Sequence, residues 1–305
     1  MINTFFAILP IFLLIVIGYL SKLYIKDISI FWSTSDKFVY YLFFPALLIL
    51  DISGANFSGD NNIYPIISTI ISTLLISAII FLMKGFIGKS PDLFTSIFQG
   101  GVRYNSYVFI ALSQSLFGNK GVALSGLFVA YMIIITNIMS VLVMNHYGRG
   151  NKKSIKGALT ALTKNPLIIG AITGIIMNIL NIHITESIKQ LLSYLSGAAT
   201  PLSLMSVGAG LVISAQFHKI ISILWATVLK LLIMPIITIV ILKATKTSGV
   251  AADIAVLYSS VPCAGNAYIL SRQMGGDHEV MASIITWTTL FSVITITLIM
   301  GSFIT

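Results

Sequence analysis

The sequence predicts an all-α membrane protein of ten transmembrane helices, in two inverted five-helix repeats with crossed, broken helices 4 and 9. Three observations predict it: a composition that cannot cover a soluble surface, apolar runs of spanning length, and Pro/Gly positions that recur at one offset. Of 305 residues, 57% are hydrophobic and 9% charged, and the mean hydropathy is +0.98. Soluble domains carry about 25% charged residues, because water must solvate their surface. Here the solvent has to be lipid.

In hydrocarbon every backbone N–H and C=O needs a partner within the chain, so apolar runs of roughly 20 residues become helices. The runs are 3–21, 37–54, 63–83, 92–117, 121–145, 164–181, 188–212, 218–242, 251–274 and 279–303. The first lacks a basic leader and a small-residue cleavage site, so it reads as a retained helix rather than a signal peptide. With the N-terminus outside, the inner loops hold twelve Lys/Arg and the outer loops four. That bias places both termini outside a multi-pass plasma membrane of the bacterial type. The net charge of +9 belongs to these loops, and no basic-aromatic face or zinc spacing points to nucleic acid. Cys263 stands alone, which excludes an intrachain disulfide.

The most basic loop, 146–163, divides a first repeat (1–145, spans 1–5) from a second (164–305, spans 6–10). An odd number of spans per half makes the second half enter the membrane upside down. Pro10, Gly18 and Pro45 recur as Pro166, Gly174 and Pro201 at an offset of 156 residues. Asn105 and Tyr107 recur as Asn266 and Tyr268 at an offset of 161. Inverted repeats are a transporter signature, since one scaffold can then open to either side.

The fourth and ninth runs carry the chemistry. Gly100-Gly101 stands beside Arg103 in the fourth, and an Arg at bilayer depth costs at least about 2.5 kcal/mol. Pro262 interrupts the ninth, where it removes a backbone donor and crowds the preceding turn. A helix broken at mid-depth exposes N–H groups at the start of its second piece, where a carboxylate is favoured. Asn105 and Asn266 suit the N-cap positions of those pieces. The candidate substrate-binding set is Arg103, Asn105, Pro262, Asn266, Tyr107, Tyr268, Gly101 and Gly265. No Asp or Glu is placed near mid-depth, so Arg103 invites a carboxylate from the substrate. Lys230 and Asp51 are assigned a coupling or charge role. Plainer readings stand beside these: Gly100-Gly101 as close helix packing, Arg103 holding broken-helix carbonyls, Lys230 and the tyrosines as structural.

No catalytic or metal-binding arrangement appears. His146, His183, His218 and His278 fall in or next to loops outside any H-E-x-x-H context, and neither G-x-S-x-G nor a P-loop occurs. The chain reads as neither an enzyme nor a cofactor protein.

Taken in order, FFAILPIFLLIVIGYL, VYYLFFPALLILDIS, RYNSYVFIALSQSLFGNKGV, KNPLIIGAITGIIMNIL, GAATPLSLMSVGAGL and SSVPCAGNAYILSRQMGGD resemble the auxin efflux carrier family. That family includes bacterial malate permeases and the plant PIN carriers, and the match covers nearly the whole chain. The resemblance implies a fold related to bile acid symporters and sodium/proton antiporters, with one bundle supporting and one moving. It also implies an organic acid bound at the crossover, here Asn105 and Asn266. The plant carriers have Pro at both crossovers, whereas this chain has Gly100-Gly101 at the first. The expectation is a secondary transporter of a small organic anion by alternating access, the substrate being a malate-like mono- or dicarboxylate or an auxin-like acid. A sodium/proton antiporter of related fold is the alternative. The expected partners are the anion and the lipid bilayer. The coupling ion, H+ or Na+, is left open, and so is a homodimer.

Overall fold

The computed structural model describes residues 2–55, 63–87, 90–149, 157, 160, 163–212 and 219–303, and every regular element among them is helical. Most of the predicted linker, 146–163, lies outside the described residues.

The chain opens with α1 (Ile2–Tyr24), α2 (Ile28–Phe38) and α3 (Phe44–Ser53), the last two joined by a π turn at Val39–Phe43. α4 (Ile63–Leu82) and the short α5 (Lys84–Ile87) precede α6 (Pro91–Val102) and α7 (Ser106–Tyr147). α8 (Pro166–Ile179) and α9 (Glu186–Gly210) come next, then α10 (Ile220–Val228) and α11 (Met234–Ala244), joined by a second π turn at Leu229–Ile233. α12 (Val250–Ser260), α13 (Ala267–Met274) and α14 (His278–Phe303) complete the fold.

Both π turns have one cause. Pro45 and Pro235 each stand second in the helix beyond the turn. A proline has no N–H for the carbonyl four residues back and its ring crowds that carbonyl, so the ladder widens locally.

Five helical stretches are long and apolar enough to cross a membrane among the described residues: 4–24, 63–82, 91–147, 220–244 and 278–303. This corrects the expectation of ten transmembrane helices in two inverted five-helix repeats. Apolar runs along a sequence do not show where a helical ladder ends. The predicted run 164–181 yields only the 14 residues of α8, and 251–274 is split into α12 and α13. Run 188–212 lies in α9, whose first half carries Glu186, Lys189 and Gln190. Run 37–54 is interrupted by the first π turn. The runs 92–117 and 121–145 fall in one 57-residue stretch, which breaks at 103–105 and leaves helical geometry again at Gly118 (φ 60°, ψ −150°). Only glycine takes that φ without strain.

Two helix pairs approach to backbone contact. A Cβ on Gly18 of α1 would collide with the Met205 carbonyl of α9, and one on Gly208 of α9 with the Ile15 carbonyl of α1. Gly170 and Gly174 of α8 similarly admit Pro45 and Ile52 of α3. Small residues drive such pairs in lipid, where dispersion contact replaces the hydrophobic effect between helices. The core, including Phe44, Phe94, Phe109, Phe128 and Tyr258, lies inside this bundle, while Leu13, Leu74, Ile236 and Ile294 face outward. An apolar exterior around a core rich in Ser and Thr is the reverse of a soluble protein, and fits lipid as the surrounding medium.

Candidate functional site

α6 ends at Val102, and Arg103 adopts an extended backbone (φ −78°, ψ 152°). The helix resumes at Ser106, capped by Asn105, whose Oδ1 accepts from the Tyr107 and Val108 amides at 3.1 and 3.2 Å. On the other side α12 ends at Ser260, Val261 is extended (φ −72°, ψ 154°), and α13 begins at Ala267. The two interrupted chains meet backbone to backbone: Asn105 N–H donates to the Pro262 carbonyl at 2.9 Å. Thr288 of α14 receives the Cys263 amide at 3.2 Å, which steadies the second break from behind.

The breaks do not fall on the glycine pair. Gly100 and Gly101 lie inside α6, where a Cβ would sit 2.8 Å from Ile284 and 2.7 Å from Ile80 respectively. They let α14 and α4 approach, so the packing reading is the one the structure supports for both.

Arg103 is 6% exposed and bridges three elements. Its Nη2 donates to Asn137 Oδ1 at 2.8 Å and Asn266 Oδ1 at 3.0 Å, and its Nη1 to Gln99 Oε1 at 3.3 Å. Gln99 is itself oriented by its Nε2 bond to Ser271 Oγ at 2.9 Å. All three acceptors are neutral. Among the described residues no carboxylate pairs with this cation, so its charge is solvated by amide dipoles and not cancelled.

The site opens into a cavity of about 700 Å³. Arg103, Asn105, Tyr107, Gly265, Asn266 and Tyr268 all line it. Asn266 stands just before α13 at its N-cap position, yet its side chain caps nothing and reaches Arg103 instead, correcting the expected symmetry with Asn105. The first amides of both second pieces are also partly engaged, on the α7 side by the Asn105 side chain and on the α13 side by turn bonds from Ala267 and Tyr268. The positive charge at the crossing therefore comes from Arg103, while Lys37 lines the same cavity beside Asp36. Tyr107 is held by stacking on Phe44, with centroids 4.8 Å apart and planes within 7°.

The remaining predicted residues lie elsewhere. Gly101 packs against α4, and Pro262 supplies its carbonyl from behind the cavity wall. Lys230 is completely buried, its Nζ on Met234 Sδ at 3.4 Å. Asp51 sits near the end of α3 away from the cavity, one oxygen buried and unbonded.

Sequence reasoning missed the opposite wall. Asp36, Tyr40 and Tyr41 reach the cavity from α2 and the first π turn, and Ser206 reaches it from α9. Asp36 corrects the expectation that no acid approaches the site. An Asp-Lys pair opening the aromatic run 38–44 was the available signal. Asn137, a lone amide within an apolar stretch, was another.

A helical bundle with an apolar exterior, two interrupted helices meeting inside it and a cation facing an internal cavity defines a membrane carrier. Residues 4–300 match the family described as membrane transport proteins, and the chain belongs to that family. It is 24% identical to an uncharacterized transporter of Methanocaldococcus jannaschii, with 96% of each chain covered. An uncharacterized transporter of Methanothermobacter thermautotrophicus is likewise 24% identical, again with 96% of both chains covered. A Rhizobium meliloti protein named "Putative malonate transporter" is 23% identical over 95% of this chain and 92% of its own. The family is one of transporters, and no group of three or more His, Cys, Asp or Glu among the described residues is arranged to hold a metal. The chain is a transporter by family.

Proposed function

We propose that the chain is a secondary transporter of a small organic anion, whose carboxylate is bound beside Arg103 where the two interrupted helices meet. The observation that carries this reading is a buried guanidinium held by three neutral acceptors, with no carboxylate paired to it among the described residues, facing a cavity of about 700 Å³. Such a volume accepts a mono- or dicarboxylate with its water, including a malate-like acid or an auxin-like one. The resemblance to auxin efflux carriers and the name of the Rhizobium relative both favour an acid of this kind.

Alternating access is the mechanism this geometry favours. One wall of the cavity, with Asp36, Tyr40 and Ser206, belongs to α2, the first π turn and α9. The other, with Arg103, Asn105 and Asn266, belongs to the interrupted elements. α1 with α9 and α3 with α8 form backbone-contact pairs suited to a support, against which the group bearing the crossing moves. The proposed location is a plasma membrane of bacterial type.

The test is uptake of radiolabelled malonate and malate by proteoliposomes holding wild type or Arg103→Ala. Wild type is expected to take up at least one of them, and the variant at least tenfold less. Equal uptake in both would remove Arg103 from the site, and no movement of either acid by wild type would overturn the anion reading.

A further inference from the structure

Lys230 is the buried ionisable group that the proposed site leaves unused. It lies in the second π turn, is 0% exposed and does not line the cavity, so it touches neither water nor a bound anion. Its Nζ has a thioether, Met234 Sδ, at 3.4 Å and the face of Tyr258 5.7 Å from the ring centroid. Among the described residues it makes no ion pair. Soft partners of this kind compensate only a small part of the cost of desolvating an ammonium.

Among the described residues, the acids on the surrounding helices stand only in their first turns. The π turn packs against α6, α10, α11, α12 and α14. α12 contributes Tyr258, with Asp253 in its first turn at the opposite end. α6 carries Asp92 in its first turn, and Arg103 lies just past its last. α14 has His278 and Glu279 at its start and only hydroxyl-bearing polar residues after them, α10 has no ionisable group, and Lys243 closes α11. Cys263, within the second break, has its thiol 3.7 Å from the Gln99 carbonyl, on the Arg103 side. Two cations thus flank the crossing, one facing the cavity and one sealed behind it.

A route joins them. Tyr104 lines the cavity, its ring meets that of Tyr258 edge-on with centroids 4.5 Å apart, and Tyr258 in turn faces Lys230. The hydroxyls of Tyr104 and Tyr258 are buried without a hydrogen-bond partner. Unfilled buried hydroxyls are costly, and these two phenols stand between the cavity and the amine without forming a hydrogen-bonded chain in this state.

We propose that Lys230 is the coupling residue of the carrier: it takes up a proton from the cavity when an organic anion binds beside Arg103, and returns it when the anion leaves. The inference rests on the anion reading above. The bound carboxylate adds a negative charge beside the crossing, on the wall opposite Asp36, so amine plus proton becomes ammonium in step with binding. Proton and anion travel together, and the charge of one offsets that of the other. The same position disfavours a sodium ion, because an ammonium in that space repels it.

The experiment uses the purified full chain with malonate and malate as probes, comparing wild type with Lys230→Met and Lys230→Gln. In proteoliposomes, wild type is expected to accumulate the acid severalfold when the outside is more acidic. Both variants should keep counterflow exchange of labelled for unlabelled acid while losing that accumulation. Calorimetry in two buffers of different ionisation enthalpy should show roughly one proton taken up per anion bound by wild type and none by the variants. Accumulation that persists in folded variants would overturn the proposal, as would wild-type accumulation that follows a sodium gradient and ignores pH. Loss of counterflow in both folded variants would make Lys230 a binding group and also overturn it. Absence of binding and exchange in wild type would instead sink the anion reading, and the coupling role with it.

Discussion

The guanidinium of Arg103 reaches Asn266 Oδ1 at 3.0 Å, tying the end of α6 to the start of α13 across the crossing. The backbone bond from Asn105 to Pro262 makes a second tie, so neither interrupted chain shifts without straining the other. The positive charge is thereby held at one place by neutral groups that leave it available.

Arg103→Lys tests the fork as distinct from the charge. Three acceptors at 2.8–3.3 Å match a planar guanidinium, and a lysine ammonium cannot span them. Malonate affinity, measured by calorimetry, is expected to fall about tenfold in Arg103→Lys and further in Arg103→Gln. Wild-type affinity in the lysine variant would show that charge alone suffices.

Asn105 has two separable duties. Asn105→Ala removes the cap of α7 and should cost about 1 kcal/mol, read as a lower Tm. Asn105→Asp keeps a competent cap but puts an anion into the cavity, so it should hold Tm while cutting uptake more than tenfold. Normal uptake by the Asp variant would place the substrate elsewhere.

The α1–α9 contact predicts a steric pattern. Gly18→Ala and Gly208→Ala each drive a methyl into a backbone carbonyl and should destabilise the carrier by about 1–3 kcal/mol in thermal unfolding. Gly197 on the same helix has open space at its Cβ, and Gly197→Ala should be neutral or slightly stabilising. Equal behaviour of the three would deny the close approach.

Asp277 joins three parts of the fold. It pairs with Lys219 at 2.6 Å, caps α14 through the Val280 amide at 3.1 Å, and receives the Ser96 hydroxyl on its carbonyl at 2.9 Å. Asp277→Ala should lower stability by about 1–2 kcal/mol, and Asp277→Asn, which keeps the cap, by about half of that. A double change with Lys219→Met should then cost little beyond Asp277→Ala alone.

Composition and motif order made the membrane class legible, and the transporter family agrees with it. Arg103, Asn105 and Asn266, which line the cavity, stand out in the sequence because a cation and two amides inside apolar runs have no cheap place in lipid. The number of spanning helices was not readable, since hydropathy sums over a window and is blind to a ladder that stops inside it. α12 and α13 show this: one apolar run, two short helices. Gly101 misled because glycine serves both breaks and close packing, and only the neighbouring Ile80 decides between them. Asp36 and Tyr40 escaped notice because their cavity forms from elements distant in sequence, which no local pattern records.

Each π turn houses one residue more than an α turn would in the same length of axis. At Leu229–Ile233 that surplus determines which way Lys230 points. Deleting a single residue there would rotate α10 by about 100° relative to α11. The amine would then be swung off its inward bearing, and a carrier so altered would keep its composition while losing the alignment between its two cations.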